Sequence, residues 1–120
     1  MITHLVLRNA RLQAIIDTLD KGGRATLKMY DGKTLLAKVP LSHPCGKVQN
    51  GSLVLGPFGE AYGLAMGSAD WARFENGKGE PVMDVSVGVE DADIVMTGTT
   101  AISINQPVEI EHAVFTEPGA

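Results

Sequence analysis

A chain of 120 residues and 12.7 kDa makes one domain, since a second would have too little core of its own. With 44% hydrophobic and 20% charged residues, it has the make-up of an ordinary soluble globule, which excludes wholesale disorder. A net charge of −4 argues against a general nucleic-acid binder, and no apolar run approaches the ~20 residues that cross a bilayer, so neither nucleic acid nor membrane is expected as a partner.

Arg8 and Arg11 interrupt what would be the apolar region of a signal peptide, so cytoplasmic synthesis is expected. The single cysteine, Cys45, excludes an internal disulfide framework and a four-thiolate zinc site. Charge is uneven along the chain. Residues 1–50 carry eight of the ten Lys and Arg against three acids, and residues 51–120 carry two basic residues against eleven acids. If these charges segregate in space, copies can pack head to tail; the plainer reading is a globule with charges solvated all round.

The first element is an amphipathic helix over about 5–21. Leu12, Ile15, Ile16 and Leu19 repeat the i, i+3, i+4, i+7 stripe and form its candidate core face, with Leu5, Val6 and Leu7 at its start. Thr3 is a candidate N-cap, and Gly22-Gly23 supplies a left-handed stop. After Gly23 the apolar period becomes two. Ala25–Tyr30 and Leu35–Leu41 flank Asp31-Gly32 and read as a hairpin, with Pro40 confining its strand to an edge or a bulge. His43–Gly51 reads as a loop, Ser52–Leu55 as a short strand, and Gly56-Pro57-Phe58-Gly59 as a break. Ala69–Glu75 and Pro81–Val87 form a second hairpin around Asn76–Glu80. Asp93–Thr97, Ala101–Ile104 and Val108–Phe115 follow as strands.

Eight short strands at this spacing predict a mainly β domain: an antiparallel β-sandwich or jelly-roll-like body over about 25–115, one N-terminal α-helix, and a loose tail at 116–120. No second helical pattern alternates with the strands, so a βαβ arrangement is not expected.

Several motifs, in order, carry a family likeness. They are Leu7-Arg8-Asn9-Ala10-Arg11-Leu12-Gln13-Ala14-Ile15, then Ala69-Asp70-Trp71-Ala72-Arg73-Phe74, then Pro81-Val82-Met83-Asp84-Val85-Ser86-Val87-Gly88, then Ala92-Asp93-Ile94-Val95 and Thr99-Thr100. Together they resemble a group of small β-rich proteins encoded in the structural modules of tailed phages and prophages. The resemblance implies a virion structural role.

The residues of these motifs also have a reading of their own. Period-two geometry puts Trp71 and Arg73 on one strand face, and Ala72 and Phe74 on the other. The lone Trp is most simply a core filler between sheets; the sharper alternative makes Trp71 and Arg73 a candidate interface, since Trp and Arg dominate binding hot spots. Met83, Val85 and Val87 form an apolar face, and Asp84 on the opposite face is placed to pair with Arg73 across the hairpin.

No convergent catalytic set emerges. His43-Pro44-Cys45 sets a base two residues from a thiol but lacks an orienting third group, and it reads as a structural loop. His4, His43 and His112 lack metal-ligand spacing. Glu90-Asp91-Ala92-Asp93 lacks the pattern and glycine of a calcium loop and reads as a solvated turn. Glu109 and Glu111 share one face of the last strand, opposite Val108, Ile110, His112 and Val114, and read as a charged edge against unwanted pairing. The glycine-rich segments match no phosphate-binding spacing.

No enzyme activity, cofactor or metal is therefore expected. The expected function is a non-enzymatic virion protein, a decoration or cement protein that binds and stabilises the phage head lattice. Its expected partners are the major capsid protein or other virion proteins, and its own copies as a dimer or trimer. A tail or tail-tip component and a small ligand-binding β-sandwich module are the alternatives.

Overall fold

The computed structural model describes residues 4–116 and contains one helix and ten strands. Helix α1 (Leu5–Leu19) buries Leu12, Ile16 and Leu19, and Ile15 packs half-buried beside them. Burial of such side chains contributes roughly 1.5–3 kcal/mol each. His4 takes the N-cap position without a side-chain cap bond; the Thr3 expected there lies outside the described residues. The helix stops two residues sooner than the sequence suggests. Asp20 closes it, and Gly22, at φ 85°, turns the chain away.

Strands β1 (Thr26–Asp31) and β2 (Thr34–Pro40) form the expected hairpin, with Asp31 opposite Thr34. A bulge between Met29 and Tyr30 puts both Leu36 and Ala37 inside. β2 is an edge strand, which accommodates Pro40. The next segment departs from the sequence reading. His43–Gly51 is not all loop, because β3 (Gly46–Gln49) pairs with β4 (Ser52–Leu55) across Asn50-Gly51. Both turn residues have positive φ, 48° and 81°, as a two-residue hairpin turn requires.

Strand β5 (Gly67–Ser68) pairs with β9 (Ala101–Ile102) in a separate small sheet; the former was not anticipated and the latter is shorter than expected. β6 (Trp71–Glu75) and β7 (Pro81–Gly88) form the second hairpin. Its turn is organised by buried Asn76, whose side-chain oxygen Oδ1 accepts from the N–H of Lys78 and of Glu80, both at 3.0 Å. β8 (Ile94–Met96) and β10 (Ile110–Thr116) complete the large sheet. Thr116, expected in the tail, is the last residue of β10, and residues 117–120 lie outside the described residues.

The large sheet runs β2-β1-β6-β7-β8-β10-β4-β3 and curls into a half-barrel. Two antiparallel sets are joined by one parallel pairing, β7 with β8, so the sheet is mixed. Only five residues separate these strands, too few for an ordinary crossover. Reciprocal bonds hold the tight loop: Ser86 N–H donates to Asp93 and Asp93 N–H donates to the Ser86 hydroxyl, at 3.1 and 3.0 Å. The two sets face one interior. Leu27, Met29, Leu36, Val39 and Phe74 enter it from one side, and Leu53, Leu55, Ile94, Met96 and Ala113 from the other. Phe74 and Phe115 meet across it edge to face, with ring centroids 6.2 Å apart. The stripe of α1 joins the same cluster, against β3 and β4. No helix among the described residues is long and apolar enough to cross a membrane.

Ile16→Asp puts a charge into this interior and should cost more than about 3 kcal/mol, enough to prevent folding of a marginally stable domain. Ile15→Asp, at the half-buried edge of the stripe, should lower the melting temperature but leave a folded protein. Circular dichroism melts of both variants check this; equal behaviour would mean that α1 is not seated by its stripe.

Candidate interaction surfaces

The outer face of β1, β6 and β7 is built from cross-strand rows. Tyr30, Trp71 and Ser86 form one, Lys28, Arg73 and Asp84 the next, and Thr26 and Glu75 a third. Tyr30 and Trp71 stack with ring centroids 4.5 Å apart and planes within 10°. Arg73 lies over the Trp71 ring at 5.3 Å and forks onto Asp84, Nε to Oδ1 at 2.7 Å and Nη2 to Oδ2 at 3.1 Å. Lys28 and Arg73 stand opposite each other as like charges; Glu75 pairs with Lys28 at 3.0 Å and Asp84 with Arg73. The fork holds the Asp84 carboxyl below the ordinary range and raises the Arg73 guanidinium.

Trp71 is thus not a filler between sheets. It is half-buried on the outer face, while Ala72 and Phe74 on the opposite face are fully buried. Its indole N–H donates to the carbonyl of Gly32 at 2.7 Å. Trp71 and Arg73 therefore clamp the β1–β2 turn and the β6–β7 hairpin within one ladder. The sequence-derived interface pair is at the surface, but its strongest contacts are internal.

A different surface exposes large apolar groups. In Ala61-Tyr62-Gly63-Leu64-Ala65-Met66-Gly67, small and large residues alternate strictly. The small ones face inward: Ala61 and Gly63 are buried and Ala65 half-buried. The large ones face out, with Tyr62 53%, Leu64 56% and Met66 75% exposed. Gly63 bridges to Ile104, itself 55% exposed. A Cβ at Gly63 would collide with the Ser103 carbonyl, so no larger residue fits there.

The arm is fastened along its length. Leu64 N–H donates to Leu36, Gly63 N–H to Gln106, Asn105 N–H to Gly63 and Val108 N–H to Ala61, at 2.7–2.9 Å. At its foot, Ser68 N–H donates to Asp31 and Gly32 N–H to Asp70, both at 3.2 Å. Residues 61–69 and 97–108 contain no charged residue. The first turn of α1 is a second exposed apolar surface, with Leu5 42%, Val6 83% and Leu7 45% exposed.

Asp20 draws together the loop before β3: Cys45 N–H donates to its Oδ1 at 3.0 Å, and His43 Nδ1 lies 3.6 Å from the same oxygen. The Cys45 side chain is fully buried. Burial, then the Asp20 charge, push its thiol up to about 12, which favours the protonated form at neutral pH. Asp93 belongs to the β7–β8 loop described above. Glu109, Glu111 and His112 line an open groove of about 780 Å³ with Val54, Pro57 and Phe58.

The face predicted for the last strand is corrected by an irregularity between Ile110 and His112. Beyond it Ala113 and Phe115 turn inward, and His112 and Val114 outward. Among the described residues no group of three or more His, Cys, Asp or Glu is placed to hold a metal. No protein-family model, curated protein or solved structure matches the chain.

Two expected outcomes follow from these shifts. The folded carboxyl of Asp84 titrates below its unfolded value, so its contribution is present above the ordinary carboxylate range and is lost as pH falls through the lowered value. Asp84→Asn should therefore lower the melting temperature slightly at pH 7 and flatten the acid-side decline; melts across pH 2–7 measure it, and a steeper acid decline would contradict the pairing. For Cys45 the sign is opposite. Its stabilising effect is complete below the unperturbed value of 9.0 and is lost as pH rises toward about 12, because the unfolded thiol ionises first. Melts above pH 9 should fall more steeply for the wild type than for Cys45→Ala, and a thiol reagent at pH 7.5 should label Cys45 only after denaturation.

Proposed function

We propose that the chain is a non-enzymatic structural protein of a tailed-phage particle, a decoration or cement protein bound to the capsid lattice. The observation that carries the reading is the exposure of large apolar side chains in two places, the first turn of α1 and the arm 61–67 with Ile104, on a single small body. A subunit bound within a lattice can use two contact surfaces, one toward the scaffold and one toward its neighbours. Exposed apolar groups in such patches mark protein contacts. The motif likeness to phage structural proteins directs the choice of scaffold. Modest contacts per copy suffice, because the symmetry of a capsid multiplies them into avidity.

Immunolabelling and cryo-electron microscopy of purified particles test it. Density repeated over the head lattice is the expected result. Label confined to the tail would move the protein to a tail role, and absence from particles would overturn the structural reading in favour of a small binding module.

A further inference from the structure

We infer that Asn50-Gly51, the turn between β3 and β4, is a site of spontaneous covalent modification, where Asn50 is converted to aspartate or isoaspartate, and that Asn9 restrains the conversion. The inference stands apart from any role in a particle. An asparagine side chain reaches the next backbone nitrogen most freely when the following residue is glycine, which has no Cβ in the way. The chain contains two such pairs, Asn50-Gly51 and Asn76-Gly77. Both carry the same two residues, so the fold decides between them.

The reaction needs only water. The Gly51 nitrogen gives up its proton to base and attacks Cγ of Asn50. A new N–Cγ bond closes a succinimide ring while the Cγ–Nδ2 bond breaks, and Nδ2 takes up a proton and leaves as ammonia. Water then opens the ring. Attack at Cγ breaks the new bond and gives aspartate; attack at the backbone carbonyl carbon breaks the original peptide bond and gives isoaspartate. Either product carries one new carboxylate, and isoaspartate also adds a carbon to the main chain. Gln49 and Ser52 then lose the two-residue turn that sets them opposite each other.

At Asn76 the fold blocks this approach. The side chain is buried, its Nδ2 donates to Glu80 Oε1 at 2.9 Å, and its Oδ1 accepts from the N–H of Lys78 and of Glu80. Turning the carboxamide onto the Gly77 nitrogen would break all three bonds. Gly77 is itself wedged against Gly22 and Gly23, where an added Cβ would meet backbone.

Asn50 is placed differently. It is exposed, and its carboxamide has no hydrogen-bond partner among the described residues. Its turn joins two strands of 4 residues each, and β3 is the last strand of the large sheet. Opening such a turn costs less than opening the core around β6 and β7. One side-chain bond holds it shut. The Gly51 N–H, whose proton must leave, donates to Asn9 Oδ1 on α1 at 2.9 Å. While that bond lasts, the proton is held on the nitrogen and the N–H points at the helix. Asn9 is therefore a positioning residue.

Peptide mapping by mass spectrometry tests this on the purified full chain, kept folded at mildly alkaline pH. A mass gain of about 1 Da should accumulate at position 50 at least about tenfold faster than at position 76. In the urea-unfolded chain both positions should convert at similar rates, which fixes the reference. Equal rates in the folded chain, faster conversion at Asn76, or conversion at neither while the unfolded chain converts both would overturn the site.

Asn9→Ala should speed conversion at Asn50 about threefold or more by removing the bond, and leave Asn76 unchanged. Asn9→Asp keeps an acceptor for the Gly51 N–H and should convert no faster than the wild type. An unchanged rate in Asn9→Ala, equal acceleration at Asn76, or an Asn9→Asp variant as fast as Asn9→Ala would overturn the restraint. The comparison of Asn50 with Asn76 uses only the wild type, so it decides the site even if a variant fails to fold.

Discussion

The rest of the structure depends on one seam. β7 and β8 run parallel over two residue pairs, and through that short pairing two antiparallel sets become one curled sheet. Without the seam each set would present an apolar face to water; with it, the faces close on each other, and Phe74 from β6 reaches Phe115 on β10. The seam in turn depends on a loop of five residues between the strands, which the reciprocal Ser86–Asp93 bonds hold in place. Asp93 sits in the densest acidic stretch of the chain, and its carboxylate is spent on backbone rather than on a ligand. The curl leaves an opening toward β3 and β4, and α1 lays Leu12, Ile16 and Leu19 into it. One interior is thus shared by both sets and the helix.

Much of this was legible in the residues. The stripe Leu12, Ile15, Ile16, Leu19 marks α1, and the alternation on either side of Asp31-Gly32 and Asn76–Glu80 marks the hairpins, because these signals are local and each element satisfies its own period. What escaped the sequence is of two kinds. Asn50-Gly51 is as strong a hairpin signal as any in the chain, yet the Pro and Gly residues just before it draw the whole of 43–51 toward loop. The parallel seam and the irregularity before His112 are non-local: each is fixed by a partner strand, so the phase of β10 cannot be read from Val108–Phe115 alone. Trp71 shows the same limit. Its face was correctly assigned, but which face is interior depends on the curl.

The contrast between the basic first part of the chain and the acidic remainder looks like polarity in sequence and acts partly as pairing in space. β1 comes from the basic part and β6 from the acidic part, and they are neighbours, so Lys28 meets Glu75. Arg73, one of only two basic residues after position 50, is taken up by Asp84. Asp20, one of three acids before that position, holds the Cys45 amide and stands beside His43. Topology thus interleaves the two parts, and charge that is satisfied within the outer face is not available to steer a neighbour.

The arm obeys the opposite logic to the sheet it leans on. In β1 and β6 the large apolar residues point inward, and polar or amphipathic ones outward; from Ala61 to Met66 the small residues point inward and the large apolar ones outward. The inward side admits nothing larger, since Gly63 lies against Ser103 and Gly67 against Asp31 and Leu36. Folding therefore explains the alanines and glycines and leaves the tyrosine, leucine and methionine unexplained. Polar side chains at those three positions would satisfy the same backbone ladder at no cost to the interior, and would spare the chain an apolar strip facing water.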